Sequence, residues 1–152
     1  MAHPASGRHL PLIFGVWATS FHNPVGTPAQ RRALIRDIFR FAKEGSLWVS
    51  RGGLTYALVI RQPTADEWYL DGIASFPRGR GHGSAILTAV LAAADHAEAP
   101  MFLHCPEPLV PWYERFGFLT TSAGTTQQDL LAQAGGLVRM TRAPQPIPTN
   151  GR

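Results

Sequence analysis

Cysteine and lysine are almost missing from the sequence, and each scarcity narrows what the chain can be. Cys105 is the single cysteine among 152 residues, so no disulfide can form within the chain and a reducing compartment is expected. Lys43 is the single lysine, yet 14 basic residues stand against 10 acidic ones. This excess of arginine suits an anionic partner such as a phosphorylated cofactor, nucleic acid or acidic lipid. A generic positive surface is the alternative.

Long apolar runs and metal-binding patterns are also missing. The apolar stretch near the N-terminus is broken by Pro11 and Gly15, so it is too short to span a bilayer and only loosely resembles a secretory signal. No pair of His or Cys residues has the spacing of metal ligands. The sequence therefore predicts a cytoplasmic protein that binds neither a metal nor a membrane.

The remaining pattern predicts a single α/β domain over residues 1–142 and a flexible tail over residues 143–152, which is rich in proline. Residues 10–22 are interpreted as a short buried helix or helix–loop, and no convincing strand precedes the first helix. Thr27 and Pro28 are typical of a helix start, and Gly45 of a helix end.

Short β-rich runs and helical spacings continue the chain. Two further helices are predicted, one after Gly83 and one over residues 109–116. Alternation along the third strand places four side chains on one face: Glu67, Tyr69, Asp71 and Ile73. The order of elements indicates a mixed sheet, with strands over residues 46–50, 54–61, 67–75, 101–105, 118–122 and 137–141.

The stretch FPRGRGHGSAIL, residues 76–87, places three glycines between a strand and a helix. Such a turn exposes backbone N–H groups at the positive end of a helix, where an anion binds. A P-loop would need a Gly-Lys-Ser/Thr ending, and a dinucleotide-binding turn would need G-x-G-x-x-G. An RGG-type RNA segment would lie in disordered chain. A different nucleotide cofactor is favoured, and a turn without a ligand is the alternative.

Two segments resemble the GNAT acetyltransferase superfamily. Residues 73–87 are similar to its coenzyme A signature. Residues 103–118, which include LVPWYERFGF, resemble its tyrosine-containing helix and are closest in wording to arylalkylamine N-acetyltransferases. The match covers residues 67–118. It implies a GNAT-like mixed, mostly antiparallel, twisted sheet of six or seven strands flanked by about four helices.

The resemblance also implies a function, an acetyl-CoA-dependent N-acetyltransferase acting on a primary amine of a small molecule, peptide or protein. Strand residues 71–73 would offer backbone groups to the pantetheine and the acyl carbonyl, and residues 79–84 would bind the pyrophosphate beside two arginines. The implied cofactor-binding residues are Asp71, Gly72, Ile73, Arg78, Gly79, Arg80, Gly81, His82, Gly83 and Ser84.

Acyl transfer to an amine needs a neutral amine and a proton for the departing thiolate. Tyr113 is the predicted proton donor, because it matches the family tyrosine; a core aromatic is the alternative. Glu67 is the predicted base, directly or through a water; a solvated strand start is the alternative. Asp71 is predicted to hold a cationic amine or to share the base role. The two carboxylates are expected to raise one pKa.

Several further side chains are candidates. Tyr69 would contact the substrate and hydrogen-bond either carboxylate. Trp17, Phe21 and His22 would line the acceptor pocket, with core packing as the alternative. His104 and Cys105 are adjacent on a strand and so point to opposite faces, which argues against a nucleophilic pair. A monomer or homodimer is expected. Two other functions remain open: a catalytically silent CoA-binding regulatory module, and an RNA-associated acetyltransferase acting on aminoacyl-tRNA.

Overall fold

The computed structural model describes residues 3–4, 27–50, 55–61, 66–75, 79–122 and 124–146. A 3-10 helix, Glu107–Leu109, leads directly into the third α-helix. The α-helices described are α1 (Pro28–Lys43), α2 (His82–His96), α3 (Val110–Glu114) and α4 (Gln127–Ala134). The strands described are β1 (His3–Pro4), β2 (Leu47–Val49), β3 (Thr55–Arg61), β4 (Trp68–Ser75), β5 (Met101–Cys105), β6 (Leu119–Thr120) and β7 (Val138–Arg142).

The predicted elements are present wherever the structure describes them. Helix α1 begins at Pro28, and Gly45 follows it with a φ of 71°, a left-handed conformation that glycine adopts readily. The predicted α2 stripe is buried on one face, because apolar residues recur at helical spacing: Ile86, Leu87, Val90, Leu91 and Ala94. Strand β5 has the predicted bounds.

The strands form a mixed, mostly antiparallel sheet in the order β1-β2-β3-β4-β5-β7-β6. Strands β4 and β5 are parallel, whereas β1 with β2, β2 with β3, β5 with β7 and β6 with β7 are antiparallel. This confirms the predicted fold class. The sequence did not predict β1, in which His3 pairs with Val49 and Pro4 with Trp48, or helix α4.

The chain divides into two compact units, each made of two separate stretches. One comprises Met1–Val59 and Gly72–Val90, and the other Ile60–Asp71 and Leu91–Arg152. In the first unit, β2 and β3 bury an apolar face that includes Leu47, Val49 and Leu58. In the second, β5 is buried between β4 and β7. The single domain over residues 1–142 stays a prediction.

Some predicted features lie outside the described residues. These are the element over residues 10–22, the turn over residues 51–53 and most of the C-terminal tail. None of the helices in the described ranges has the length and apolar character needed to cross a membrane.

Candidate functional site

The glycine turn before α2 has the backbone that an anion site needs. Gly79 and Gly81 both have a φ of 76°, which side chains other than glycine rarely adopt. Among the described residues, no atom beyond the chain neighbours lies within 4 Å of the position that a Cβ would take at either residue. Both glycines are therefore required by backbone conformation, and no described side chain fills the space beside them. Arg80, between them, is exposed.

Helix α2 begins directly at this turn. Its first backbone bond is donated by the Ala85 N–H to the Gly81 carbonyl at 3.0 Å, so the amides of the first helical residues have no acceptor within the helix. These residues are His82, Gly83 and Ser84; His82 is exposed and the other two are half-buried. Their N–H groups lie at the positive end of the helix dipole, where a phosphate group fits.

The ladder between strands β4 and β5 consists of three residue pairs. The ladder joins Trp68 with Met101 and ends at Leu70 with Leu103, although β4 continues to Ser75 and β5 to Cys105. From residue 71 onwards, the backbone of β4 on this side is not paired with β5. Asp71, Gly72 and Ile73, the predicted contacts of the pantetheine, begin this unpaired part.

Asp71 and Glu67 differ in their surroundings. The Asp71 side chain is exposed in part, yet protein atoms around the carboxylate displace water, and this desolvation raises its pKa. Glu67 is half-buried and precedes β4. Three residues lie between them, so four steps of extended chain place their Cα atoms about 13 Å apart. The expected rise in one pKa is present at Asp71, but its cause is desolvation and not the second carboxylate.

Tyr69 contacts a histidine and not either carboxylate, which corrects the prediction. Its hydroxyl lies 3.4 Å from Nδ1 of His104, and its ring stacks on Phe102 with centroids 4.8 Å apart. Desolvation, reinforced by the charges of Asp71 and Asp129, raises the pKa of Tyr69 to about 12. The phenol is therefore neutral at physiological pH.

Asp129, on α4, lies behind His104. Its Oδ1 accepts from Nε2 of His104 at 2.9 Å and from Nε of Arg139 at 3.0 Å. Its Oδ2 accepts from the backbone N–H of Thr126 at 3.0 Å and from the Thr126 hydroxyl at 2.6 Å. Burial alone would raise the pKa of Asp129, but these hydrogen bonds outweigh it and lower that pKa. The sequence did not identify this carboxylate, although the Thr126–Asp129 spacing is typical of a capping box.

Tyr113, on α3, is buried, and its ring meets those of Trp112 and Phe118 with centroids 4.7 and 5.8 Å apart. Desolvation, with a smaller effect of Cys105, raises its pKa, so the phenol keeps its proton throughout the neutral range. The Cys105 thiol is directed to Sδ of Met140 at 3.7 Å. Cys105 and His104 thus have different partners, and the sequence also argued against a nucleophilic pair of these two residues.

Some predicted site residues cannot be placed. Arg78, Trp17, Phe21 and His22 lie outside the described residues. Among the residues that are described, no group of three or more His, Cys, Asp or Glu side chains could hold a metal ion.

Comparison with solved structures identifies the fold, whereas no protein-family model matches the chain. The histone acetyltransferase HPA2 and related acetyltransferase from Corynebacterium glutamicum is similar with a TM-score of 0.67 and 22% identity, over 98% of each chain. Rv2747 from Mycobacterium tuberculosis, solved in complex with CoA and NLQ, is similar with a TM-score of 0.68 and 14% identity, over 94% of this chain and 98% of that one.

A third similar structure is the ribosomal-protein-S18-alanine N-acetyltransferase from Escherichia coli. Its TM-score is 0.67 and its identity 16%, over 100% of this chain and 98% of that one. The three matches extend over nearly the whole chain. The chain therefore has the GNAT acetyltransferase fold that the resemblance over residues 67–118 implied.

Proposed function

We propose that the protein is an acetyl-CoA-dependent N-acetyltransferase that transfers the acetyl group directly to a primary amine. The observation that carries this proposal is the turn at Gly79–Ser84, in which two left-handed glycines open the N-terminus of α2. The fold supports it, because the similar structures include acetyltransferases and one complex with CoA.

The chain offers separate groups to the separate parts of the cofactor. The backbone amides of residues 82–84 would take the pyrophosphate, with Arg80 and Arg78 adding positive charge. The backbone of residues 71–73, beyond the last pair with β5, would take the pantetheine and the acyl carbonyl. Acetyl-CoA would supply the acetyl group as a thioester.

The transfer forms a C–N bond as the C–S bond breaks, and the sulfur takes a proton. Tyr113 is the proposed donor of this proton, because burial keeps its phenol protonated. The same burial would disfavour a bare thiolate beside it, which favours proton transfer to the sulfur. The nitrogen is positively charged once the C–N bond has formed, and the proton that it then loses would restore the Tyr113 phenol. Asp71 is the proposed counter-charge for the ammonium form of the acceptor.

The proposed acceptor is a primary amine of a small molecule, peptide or protein. The similar S18-alanine N-acetyltransferase is named for a protein acceptor, and the exposed Asp71 carboxylate suits a cation. Glu67 remains the base that the sequence predicts.

A panel of amines assayed for free thiol in the presence of acetyl-CoA tests the proposal. Release that depends on a small amine or a peptide N-terminus is the expected result. Binding of acetyl-CoA without release by any acceptor would support the silent CoA-binding module instead. Transfer only to aminoacyl-tRNA, with binding that weakens steeply as salt is added, would support the RNA-associated enzyme.

A further inference from the structure

A buried chain of polar groups leads inward from Asp71, on β4, to Asp129, on α4. Next to Asp71 on the same face of β4 is Tyr69, whose pKa is raised in part by the Asp71 charge. The Tyr69 hydroxyl meets His104 at 3.4 Å, and His104 meets Asp129 at 2.9 Å. The His104 and Asp129 side chains are only 2% and 1% exposed. Three titratable groups thus contact one another in succession, and the first of them, Tyr69, is close enough to Asp71 for its charge to act on the phenol.

The hydrogen bonds decide which atoms carry protons. The lowered pKa of Asp129 keeps it ionised, and an ionised carboxylate only accepts, so Nε2 of His104 is the donor in that bond. In a neutral imidazole the other nitrogen then has a free lone pair. Nδ1 of His104 therefore accepts, and the Tyr69 hydroxyl donates to it.

We propose that His104, held by Asp129, takes the proton of the acceptor ammonium and that the Tyr69 hydroxyl conveys it; the inference rests on the proposed function. The ammonium gives a proton to the Tyr69 oxygen as the Tyr69 hydroxyl proton passes to Nδ1 of His104. The amine becomes neutral, the phenol is regenerated and the imidazole becomes imidazolium. After transfer of the acetyl group the proton returns to solvent by the reverse path.

The surroundings of His104 can hold this charge. Among the described residues, Tyr69 faces it from β4, Asp129 from α4 and Arg139 from β7. An imidazolium would place the Asp129 carboxylate between two cations, both on Oδ1. The Thr126 donors on Oδ2 keep that carboxylate fixed, as the orienting partner of a general base requires. The 3.4 Å contact is long, as catalytic hydrogen bonds often are without substrate.

Paired acceptors separate this role from a structural one. Phenylethylamine is an ammonium ion at pH 7, whereas its β,β-difluoro derivative is largely neutral and needs no base. Tyr69→Phe keeps the stacked ring and removes only the hydroxyl; His104→Gln removes the proton acceptor. Each is expected to lower kcat/KM for phenylethylamine by roughly 10²-fold and for the fluorinated amine only a few-fold. His96→Gln, at the exposed end of α2, is the matched control and should leave both rates unchanged.

Equal losses for the two amines in both variants would overturn the relay and leave the proposed function standing. No thiol release from the wild type with any amine would overturn the proposed function, and the relay with it. A second readout needs no turnover: ¹⁵N NMR of the imidazoles, with the His104 signals assigned by His104→Gln. The Nε2–H tautomer is expected near neutral pH, and an Nδ1–H tautomer would overturn the relay.

Discussion

At the scale of single residues, Tyr113 combines burial with the chemistry expected of a proton donor. We expect Tyr113→Phe to lower kcat by roughly 10²-fold at neutral pH, because the departing thiolate loses its acid. The affinity for acetyl-CoA should change little, since the ring and its contacts with Trp112 and Phe118 remain. Steady-state kinetics with calorimetric binding provides the measurement. Tyr56→Phe, a matched hydroxyl deletion on buried β3, is the control, and unchanged turnover in Tyr113→Phe would make Tyr113 a core aromatic.

Replacement of Asp71 is expected to change both the KM for a cationic acceptor and the pH dependence of stability. If Asp71 is the counter-charge of a cationic acceptor, Asp71→Asn is expected to raise the KM for that acceptor by an amount equivalent to roughly 1–3 kcal/mol. An uncharged amine analogue should be spared. A KM increase of the same size for both acceptors would contradict the counter-charge role.

The pH dependence of the same variant tests the raised pKa. A carboxyl whose pKa is higher in the folded state stabilises the fold at low pH, and that stabilisation is lost as the pH rises through the folded-state pKa. Asp71→Asn removes this loss. Its Tm relative to the wild type should therefore be higher at pH 7 than at pH 3, and the opposite order in thermal unfolding would refute the desolvation of Asp71.

The pH dependence of kcat/KM distinguishes Glu67 from His104 as the base. If the relay operates, Glu67→Gln should leave the acidic limb of kcat/KM in place, whereas His104→Gln should remove it. If Glu67→Gln flattens the limb and His104→Gln does not, Glu67 is the base that the sequence predicted.

The sequence predicted some of these residues as site residues and missed the roles of others. Tyr113 was predicted from a short motif that resembles known acetyltransferases, and Asp71 was predicted from its position on the same strand face as Glu67. The partner of Tyr69 was not, because His104 is 35 residues away along the chain and Asp129 a further 25. Such contacts depend on strand pairing and helix docking, which no local pattern encodes.

At the scale of secondary structure elements, an ion pair joins the end of α2 to β7 within the second unit. Arg142 donates to both oxygens of Asp95, at 2.7 and 2.9 Å, and its Nε donates to the Phe116 carbonyl at 3.0 Å. The Arg142 side chain is 6% exposed, so loss of its partner would leave a buried charge. This pair therefore holds two elements of the unit against the turn after α3.

We expect Asp95→Asn to lower the free energy of unfolding by roughly 3 kcal/mol at pH 7. The hydrogen bonds from Arg142 lower the pKa of Asp95, so its contribution is present above the unfolded-state pKa and is lost as the pH falls through the folded-state value. The difference between variant and wild type should shrink in acid. Denaturant unfolding at several pH values measures it.

The control for this pair is Asp37→Asn. Asp37 meets Arg40 at 3.7 Å on exposed α1, with side chains 42% and 57% exposed. Exposed pairs contribute about 0–1 kcal/mol, so this variant should unfold nearly as the wild type does. An equal loss in the free energy of unfolding for Asp95→Asn and Asp37→Asn would show that the buried ion pair does not stabilise the fold.

Periodicity predicted some elements and missed others for physical reasons. Helix α2 was predicted because its apolar stripe is buried along its whole length. Helix α4 was missed because Leu130 and Leu131 are 60% and 68% exposed, so they do not mark its buried face. That face is marked instead by Asp129 and Ala132. Strand β1 has two residues and is defined by its pairing with β2.

At the scale of the whole molecule, the fold matches three solved structures, two of them named as acetyltransferases, at identities of 14–22%. The motif over residues 67–118 indicated this fold because a cofactor site demands particular backbone conformations. The left-handed glycines of the turn are an example. The acceptor, in contrast, imposes no comparable backbone requirement that a sequence pattern would reveal, so a primary amine was predicted and no single compound.

The proposal that the turn before α2 binds the cofactor is tested by calorimetric titration of the protein with acetyl-CoA. Gly81→Glu places a side chain and a negative charge where phosphate would lie. Gly136→Glu makes the same change at another exposed glycine, with a φ of 70° and no atom of the described part of the chain within 4 Å of its Cβ position. The two variants therefore share backbone strain and added charge but differ in location.

We expect the wild type and Gly136→Glu to bind acetyl-CoA with similar affinity. Gly81→Glu should bind roughly 100-fold more weakly or not at all, because charge-assisted hydrogen bonds worth about 1.5–3 kcal/mol each are lost. No binding by the folded wild type at millimolar acetyl-CoA, or equal binding by Gly81→Glu and Gly136→Glu, would contradict the proposal.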